Sequence, residues 1–356
     1  MRMHSALLLA LSLFFVAPAA TFAASAKVWV CPMPQHTQQF DKPGTCPICG
    51  MKLVEKDSRF RAAVLIFDSA EDIDFTAPIE VLGEAGAEVF TVGATAAPIR
   101  TVFGLHITPD FDLDHAPAAD LLLIPGGGVG DTMKNPRVIS WIRQRAAASR
   151  YVMSVCNGAF FLAKAGLLDG LTATTTSGRI EELATEYPKV HVVRKRFVDN
   201  EKVITTAGLS AGIDGALHVM DREYGRTRAE NIARGLEYRW QPDSQWTRAA
   251  YADTRMPDVH LPDDAVWNET VSHGDTNQWE VRGTLRIAFT QEQLLDYATK
   301  DIVSKGWTLR NSGSNTRSFL KKDLDGTSWL TTIVSQPDAA PSTFVETMSV
   351  RKVVGS

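Results

Sequence analysis

What the 356-residue chain lacks narrows its class first. Its formal net charge is only −4, so there is no surplus of basic residues to neutralise a phosphate backbone, and nucleic acid is not an expected partner. No apolar run reaches the ~20 residues that a membrane-crossing helix needs. The run from Ala6 to Val16 is too short, and no later segment is apolar enough. No internal repeat is visible, which argues against solenoids and propellers. Cysteine is scarce, at four residues, and its placement is uneven. Cys31, Cys46 and Cys49 crowd one end and Cys156 stands alone, which is not the spacing of a disulfide framework.

What is present begins with an address. Arg2 and His4 precede the apolar run, and small residues follow it in Thr21-Phe22-Ala23 and Ala24-Ser25-Ala26. A basic start, a short apolar core and a small-residue cut site describe a cleavable signal peptide over residues 1–26. The mature protein is therefore expected in the periplasm or outside the cell.

Residues 27–56 form a Cys- and Pro-rich module, "VCPMPQHTQQFDKPGTCPICGMKLV". A C-x-x-C turn brings two thiolates, Cys46 and Cys49, toward one ion, and Gly50 permits the tight backbone. Thirty residues cannot build much core, so such a module needs a staple, either a disulfide or a metal. Soft sulfur ligands suit copper(I) or zinc. The stretch resembles the short heavy-metal-binding modules of metal-efflux proteins and copper pumps, whose usual form is C-P-M-H-P followed by C-P-x-C-G-M. Here the histidine is displaced by two positions, to His36. His36 would complete a Cys3His site of zinc type, whereas Met33 or Met51 would favour copper(I).

Residues 60–240 alternate apolar strands with amphipathic helices, the grammar of an α/β domain with a parallel sheet. "AAVLIF", "EVFTVG", "DLLLIPGGG" and "YVMSVC" read as buried strands. A polar stretch with Pro242, Pro257 and Pro262 reads as a linker over 241–264. From 265 to 356 the pattern changes. Trp279, Val281, Leu285, Ile287 and Phe289 mark a half-buried strand, Thr290 and Gln293 a capping box, and Leu324-Asp325-Gly326 a hairpin. This predicts a small β-α-β-β-β domain with a packing or docking role and no chemistry of its own.

In "RYVMSVCNGAFFLAKAGLLDG" an apolar run leads directly into Cys156, with Gly158 and a helix behind it. A cysteine there sits on a strand-to-helix elbow, and the helix N-terminus is expected to lower its pKa. Gly127, within the Gly126–Gly128 loop, could join the Asn157 N–H as an oxyanion hole. Asp74, beyond the first strand, falls on the same face of a parallel sheet. Asp74 could equally serve as a helix cap near Pro78.

The pieces D-F-T-A-P-I-E-V-L, I-P-G-G-G, S-V-C-N-G-A-F-F-L-A-K-A-G-L-L-D-G and A-G-L-S-A-G-I-D-G-A-L resemble the DJ-1/PfpI superfamily, in its isocyanide-hydratase and AraC-regulator-like branch. The resemblance implies a flavodoxin-like α/β sandwich, a nucleophile at Cys156, a proton-carrying Asp74 beside it, a small-molecule substrate and a homodimer. Two departures stand out. Thr176 occupies the place where the branch carries histidine, and no helix-turn-helix follows. His106 and His115 remain as candidate bases elsewhere.

Overall fold

A computed structural model describes residues 27–31, 36–56 and 59–353. The expected signal peptide and Met33 lie outside these residues.

Seven strands form the central sheet, in the order Phe197–Asn200, Val203–Thr206, Tyr151–Ser154, Leu121–Ile124, Arg61–Leu65, Glu88–Gly93, Phe111–Asp112. All neighbours run parallel except the first pair. The expected flavodoxin-like α/β architecture is present. Every residue of Leu121–Ile124, Tyr151–Ser154 and Val203–Thr206 is buried, as required of strands covered by helices on both faces. That double burial explains their unbroken apolar runs. The helix Asp72–Glu84 packs on Ala211–Tyr224, where Gly212 lets Pro78 approach. This helix starts earlier than Pro78 suggests, so the proline lies inside it and not in its first turn.

The C-terminal domain is a six-stranded antiparallel sheet with the helix Gln291–Ser304 on one face. The Thr290/Gln293 capping box forms as the sequence requires, and the hairpin between Thr316–Lys322 and Ser328–Pro337 is present. Two strands exceed the expected β-α-β-β-β order: Val266–Gly274 and Thr308–Ser312. Both are sheet edges and every residue in them is exposed, so neither carries an alternating burial pattern that sequence could reveal.

The stretch expected as a linker is no loose tether. Ala249 is sealed in the α/β core and Ala252 in the C-terminal core, each on a short 3-10 turn. Asp323 of the C-terminal domain accepts from Arg194 Nε of the α/β domain at 3.1 Å and from Arg255 Nε at 3.0 Å. Asp323 is only 4% exposed, so one carboxylate and two arginines pin the domains together.

Candidate functional site: a strained cysteine and a four-donor cluster

The buried strand Tyr151–Ser154 runs extended through Val155 and then reverses at Cys156, whose φ is +57°. For a residue with a side chain this left-handed conformation costs on the order of 1–3 kcal/mol, and it persists only where the surroundings fix it. Here they do. The Cys156 N–H donates to the Ala207 carbonyl at 3.2 Å, and Thr175 Oγ1 donates to the Cys156 carbonyl at 2.8 Å. Behind the cysteine, a Cβ on Gly158 would lie 2.3 Å from the Ile124 carbonyl oxygen, so only glycine allows the following turn to sit this low on the sheet.

Three groups meet the sulfur: the Asp74 carboxyl, the Thr176 hydroxyl and the Asn157 N–H. Asp74 is fully buried, and it is not a cap. Glu71 holds the N-cap position, while the Asp74 carboxylate accepts from Gly126 N–H at 3.1 Å and Leu209 N–H at 3.0 Å. Burial pushes the Asp74 carboxyl up to about 6, with a small further push from Glu71, against the lowering effect of those two N–H donors.

The cysteine departs from expectation in sign. Burial, together with the neighbouring Asp74 charge, pushes the Cys156 thiol up to about 12, despite donors from Asn157 and Thr176. The helix behind it is a short one, Ala159–Lys164, and its positive end does not offset desolvation and a carboxylate at hydrogen-bonding range. At neutral pH the pair therefore rests as thiol and carboxylate, with the proton one short transfer from Asp74.

The expected oxyanion hole is also revised. Gly127 N–H donates to Asn157 Oδ1 at 2.7 Å, and Asn157 Nδ2 returns a bond to the Gly127 carbonyl at 2.8 Å. Gly126 N–H is held by Asp74, and Gly128 N–H by the Ser69 carbonyl. The glycine loop thus positions Asp74 and Asn157, and of the two N–H groups expected to form the hole only that of Asn157 meets the sulfur. His106 and His115 are exposed, and His115 pairs with Asp112 at 2.7 Å. Neither is among the groups that meet the sulfur. Thr176, overlooked as a site residue, fills the position of the branch's histidine. Its place in that motif is the clue that could have revealed it.

In the N-terminal module, strands Trp29–Val30, Gln39–Phe40 and Val54–Glu55 pair antiparallel and hold the ligand candidates together. Cys31 Sγ lies 3.4 Å from His36 Nδ1 and 3.5 Å from Cys49 Sγ, and Cys46 Sγ lies 3.6 Å from His36 Nδ1. All four donor atoms fall within 4.8 Å of one another. A tetrahedral ion with metal–sulfur bonds of ~2.3 Å places its ligands roughly 3.8 Å apart, so the spacing fits a single ion. The Cys31 and Cys49 sulfurs, at 3.5 Å, lie well beyond the length of a disulfide bond. Burial raises the Cys46 thiol, but the N–H groups of Cys49 and Ile48 and the neighbouring thiols hold it down at about 6. His36 closes a four-donor set. Met51 uses its carbonyl to accept from Cys46 N–H at 2.7 Å and lines the seam against the α/β domain with Arg59 and Phe60.

Comparison with known proteins accords with this layout. Residues 60–222 match the DJ-1/PfpI family, and residues 28–56 match the heavy metal binding domain. The chain is 34% identical over 178 residues to the isonitrile hydratase of Pseudomonas putida, covering 49% of this chain and 76% of that protein. It is 29% identical over 182 residues to the HTH-type transcriptional regulator GbdR of Pseudomonas aeruginosa, about half (49%) of each. A solved THiJ/PfpI family protein from Pseudomonas syringae is 27% identical, with a TM-score of 0.49, covering 52% of this chain and 78% of that one. This chain belongs to the DJ-1/PfpI family and carries a heavy metal binding domain ahead of its α/β domain.

Proposed function

We propose that the α/β domain is a cysteine-dependent hydratase for a small molecule with an electrophilic carbon, of which an isonitrile is the simplest fit. The contact between Cys156 and the buried Asp74 carboxyl carries this reading. A thiol raised this far needs a base within reach, and a carboxyl raised to about 6 is well matched to take and return a proton near neutrality. For an isonitrile, the Cys156 sulfur bonds to the terminal carbon while its proton passes through Asp74 to that same carbon, giving a thioimidate. Water then adds to the carbon, and the carbon–sulfur bond breaks. The proton returns to sulfur and an N-substituted formamide leaves. One water is consumed and nothing is oxidised. The Asn157 N–H steadies charge on the sulfur, and the Thr176 hydroxyl orients it.

Formamide production from an aryl isocyanide by the wild type, Cys156→Ala and Asp74→Asn tests this. Activity is expected only in the wild type. Undiminished turnover by Cys156→Ala would end the proposal.

A second role rests on a separate observation, the four-donor cluster. We read the N-terminal module as a site for a heavy-metal cation, zinc or copper(I), held by Cys31, His36, Cys46 and Cys49. The metal serves there as cargo or staple. Titration of the reduced protein is expected to show one ion bound per chain, with His36→Ala weakening it more than tenfold; no uptake would exclude the role. Residues 1–26 support an exported, periplasmic or secreted, location, to be checked by the N-terminal residue of the mature protein. A homodimer is supported by the exposed apolar residues Ile73, Phe103 and Leu209 beside the elbow, and light scattering gives the particle mass.

A further inference from the structure

The C-terminal domain, for which the sequence predicts no chemistry, carries a half-open cavity of about 440 Å³ between its sheet and its helix. Ile333 and Met348 line it from the sheet, Leu294 and Ala298 from the helix, and Met256 and Leu261 from the strap that joins the domains. The size and mostly apolar lining are those of a small-molecule site. Its polar features are specific. Asp253, Asp258 and Glu346 contribute to its wall, and no lysine, arginine or histidine does. Asp253 is neutralised by Arg248.

Glu346 is different. It sits on the covered face of the strand Thr343–Val353, and its one hydrogen-bond partner among the described residues is the Ser335 hydroxyl. No cation among the described residues pairs with it, and burial pushes its carboxyl up to about 7. A carboxylate in apolar surroundings without a counter-charge is costly, and a ligand that supplies the charge would offset that cost. The neighbouring strand leaves room beside it. Gly283 lies opposite Glu346, and a Cβ there would meet the Trp267 ring at 2.6 Å, so the glycine lets the indole lie over the sheet next to the carboxyl. An indole face and a carboxylate together favour an organic ammonium group.

We propose that this cavity binds a small hydrophobic amine, its apolar body between sheet and helix and its ammonium on Glu346. The site is independent of Cys156 and of the metal cluster.

The test is calorimetric titration of the full chain with 4-phenylbutylammonium, 4-phenylbutanol and 4-phenylbutanoate. The ammonium is expected to bind at least tenfold more tightly than the alcohol, and the carboxylate weakest. Glu346→Gln should abolish the preference for the ammonium over the alcohol while keeping the alcohol bound. Ala298→Phe, which fills the cavity from the helix, should remove binding of all three. Unchanged far-UV circular dichroism establishes that each variant is folded. Absence of binding to the wild type, equal affinity for ammonium and alcohol, or a preference that survives Glu346→Gln would each overturn the proposal.

Discussion

Replacing Asp74 by asparagine keeps the shape of the carboxyl and removes its charge, so it separates two things that Asp74 does to Cys156. The carboxylate acts on the sulfur within a buried site. Two unit charges ~4 Å apart at an effective dielectric of ~20 repel by about 4 kcal/mol, which is close to three pKa units. Burial, the larger cause of the shift, remains in Asp74→Asn, so its thiol should titrate below about 12 by at most those three units. At pH 8 the thiolate population then rises by at most roughly a thousandfold. A less basic thiolate is also a weaker nucleophile, by a Brønsted slope of about 0.45, which leaves a net gain of at most roughly fiftyfold. Iodoacetamide labelling at pH 8, followed on the Cys156 peptide by mass spectrometry, should show that acceleration, in a protein that no longer turns substrate over. Only one of the Gly126 and Leu209 N–H groups keeps an oxygen acceptor, at a cost of about 1–3 kcal/mol, partly offset by the loss of a buried charge. If Asp74→Asn labels no faster than wild type, the electrostatic account of this site is wrong.

Three further outcomes are expected. Gly158→Ala places a methyl 2.3 Å from the Ile124 carbonyl oxygen, and should destabilise the domain by about 3 kcal/mol in urea unfolding. Asp323→Asn leaves Arg194 and Arg255, which are 10% and 9% exposed, without their shared carboxylate. Arg194 keeps Glu181, so a smaller loss, of roughly 1–3 kcal/mol, should appear as faster limited proteolysis within residues 241–264. Glu346 has its folded pKa raised from 4.5 to about 7. Its contribution to stability is thus complete below the unfolded value and is lost as pH rises through about 7. Melting temperature should fall across pH 4.5 to 7.5 by the equivalent of about 3 kcal/mol, and Glu346→Gln should flatten that part of the profile.

The elbow was legible because its requirements are local. A buried strand, a cysteine, a glycine two residues later and an apolar helix occupy one short stretch, and each leaves its mark in residue type. The metal cluster was legible for a similar reason, since C-x-x-C spacing dictates proximity. What escaped depends on contacts between distant segments. That the Gly127 N–H is taken by Asn157 follows from the packing of one strand end on another, and no local pattern encodes it. The direction of the thiol shift turns on how deeply Cys156 is covered and on the charge of a residue far away in sequence. The edge strands Val266–Gly274 and Thr308–Ser312 were missed because exposure on every side erases periodicity. The half-buried Glu346 was missed because a glutamate within "STFVETMSVRKV" reads as a solvent-facing residue in an alternating strand.

The Arg59 guanidinium grips the Cys31 carbonyl at 2.7 Å, fixing the four-donor cluster to the entry of the strand Arg61–Leu65. The loop beyond the far end of that same strand carries Ala70 and Glu71, which bind the Gly126–Gly127 backbone that cradles Asp74 and Asn157. Five residues at ~3.3 Å each put roughly 16 Å of buried β-structure between the two centres. An ion held by the module therefore cannot also ligate the elbow sulfur of its own chain. The two chemistries are insulated: saturating one with cation should leave the alkylation rate of the other untouched.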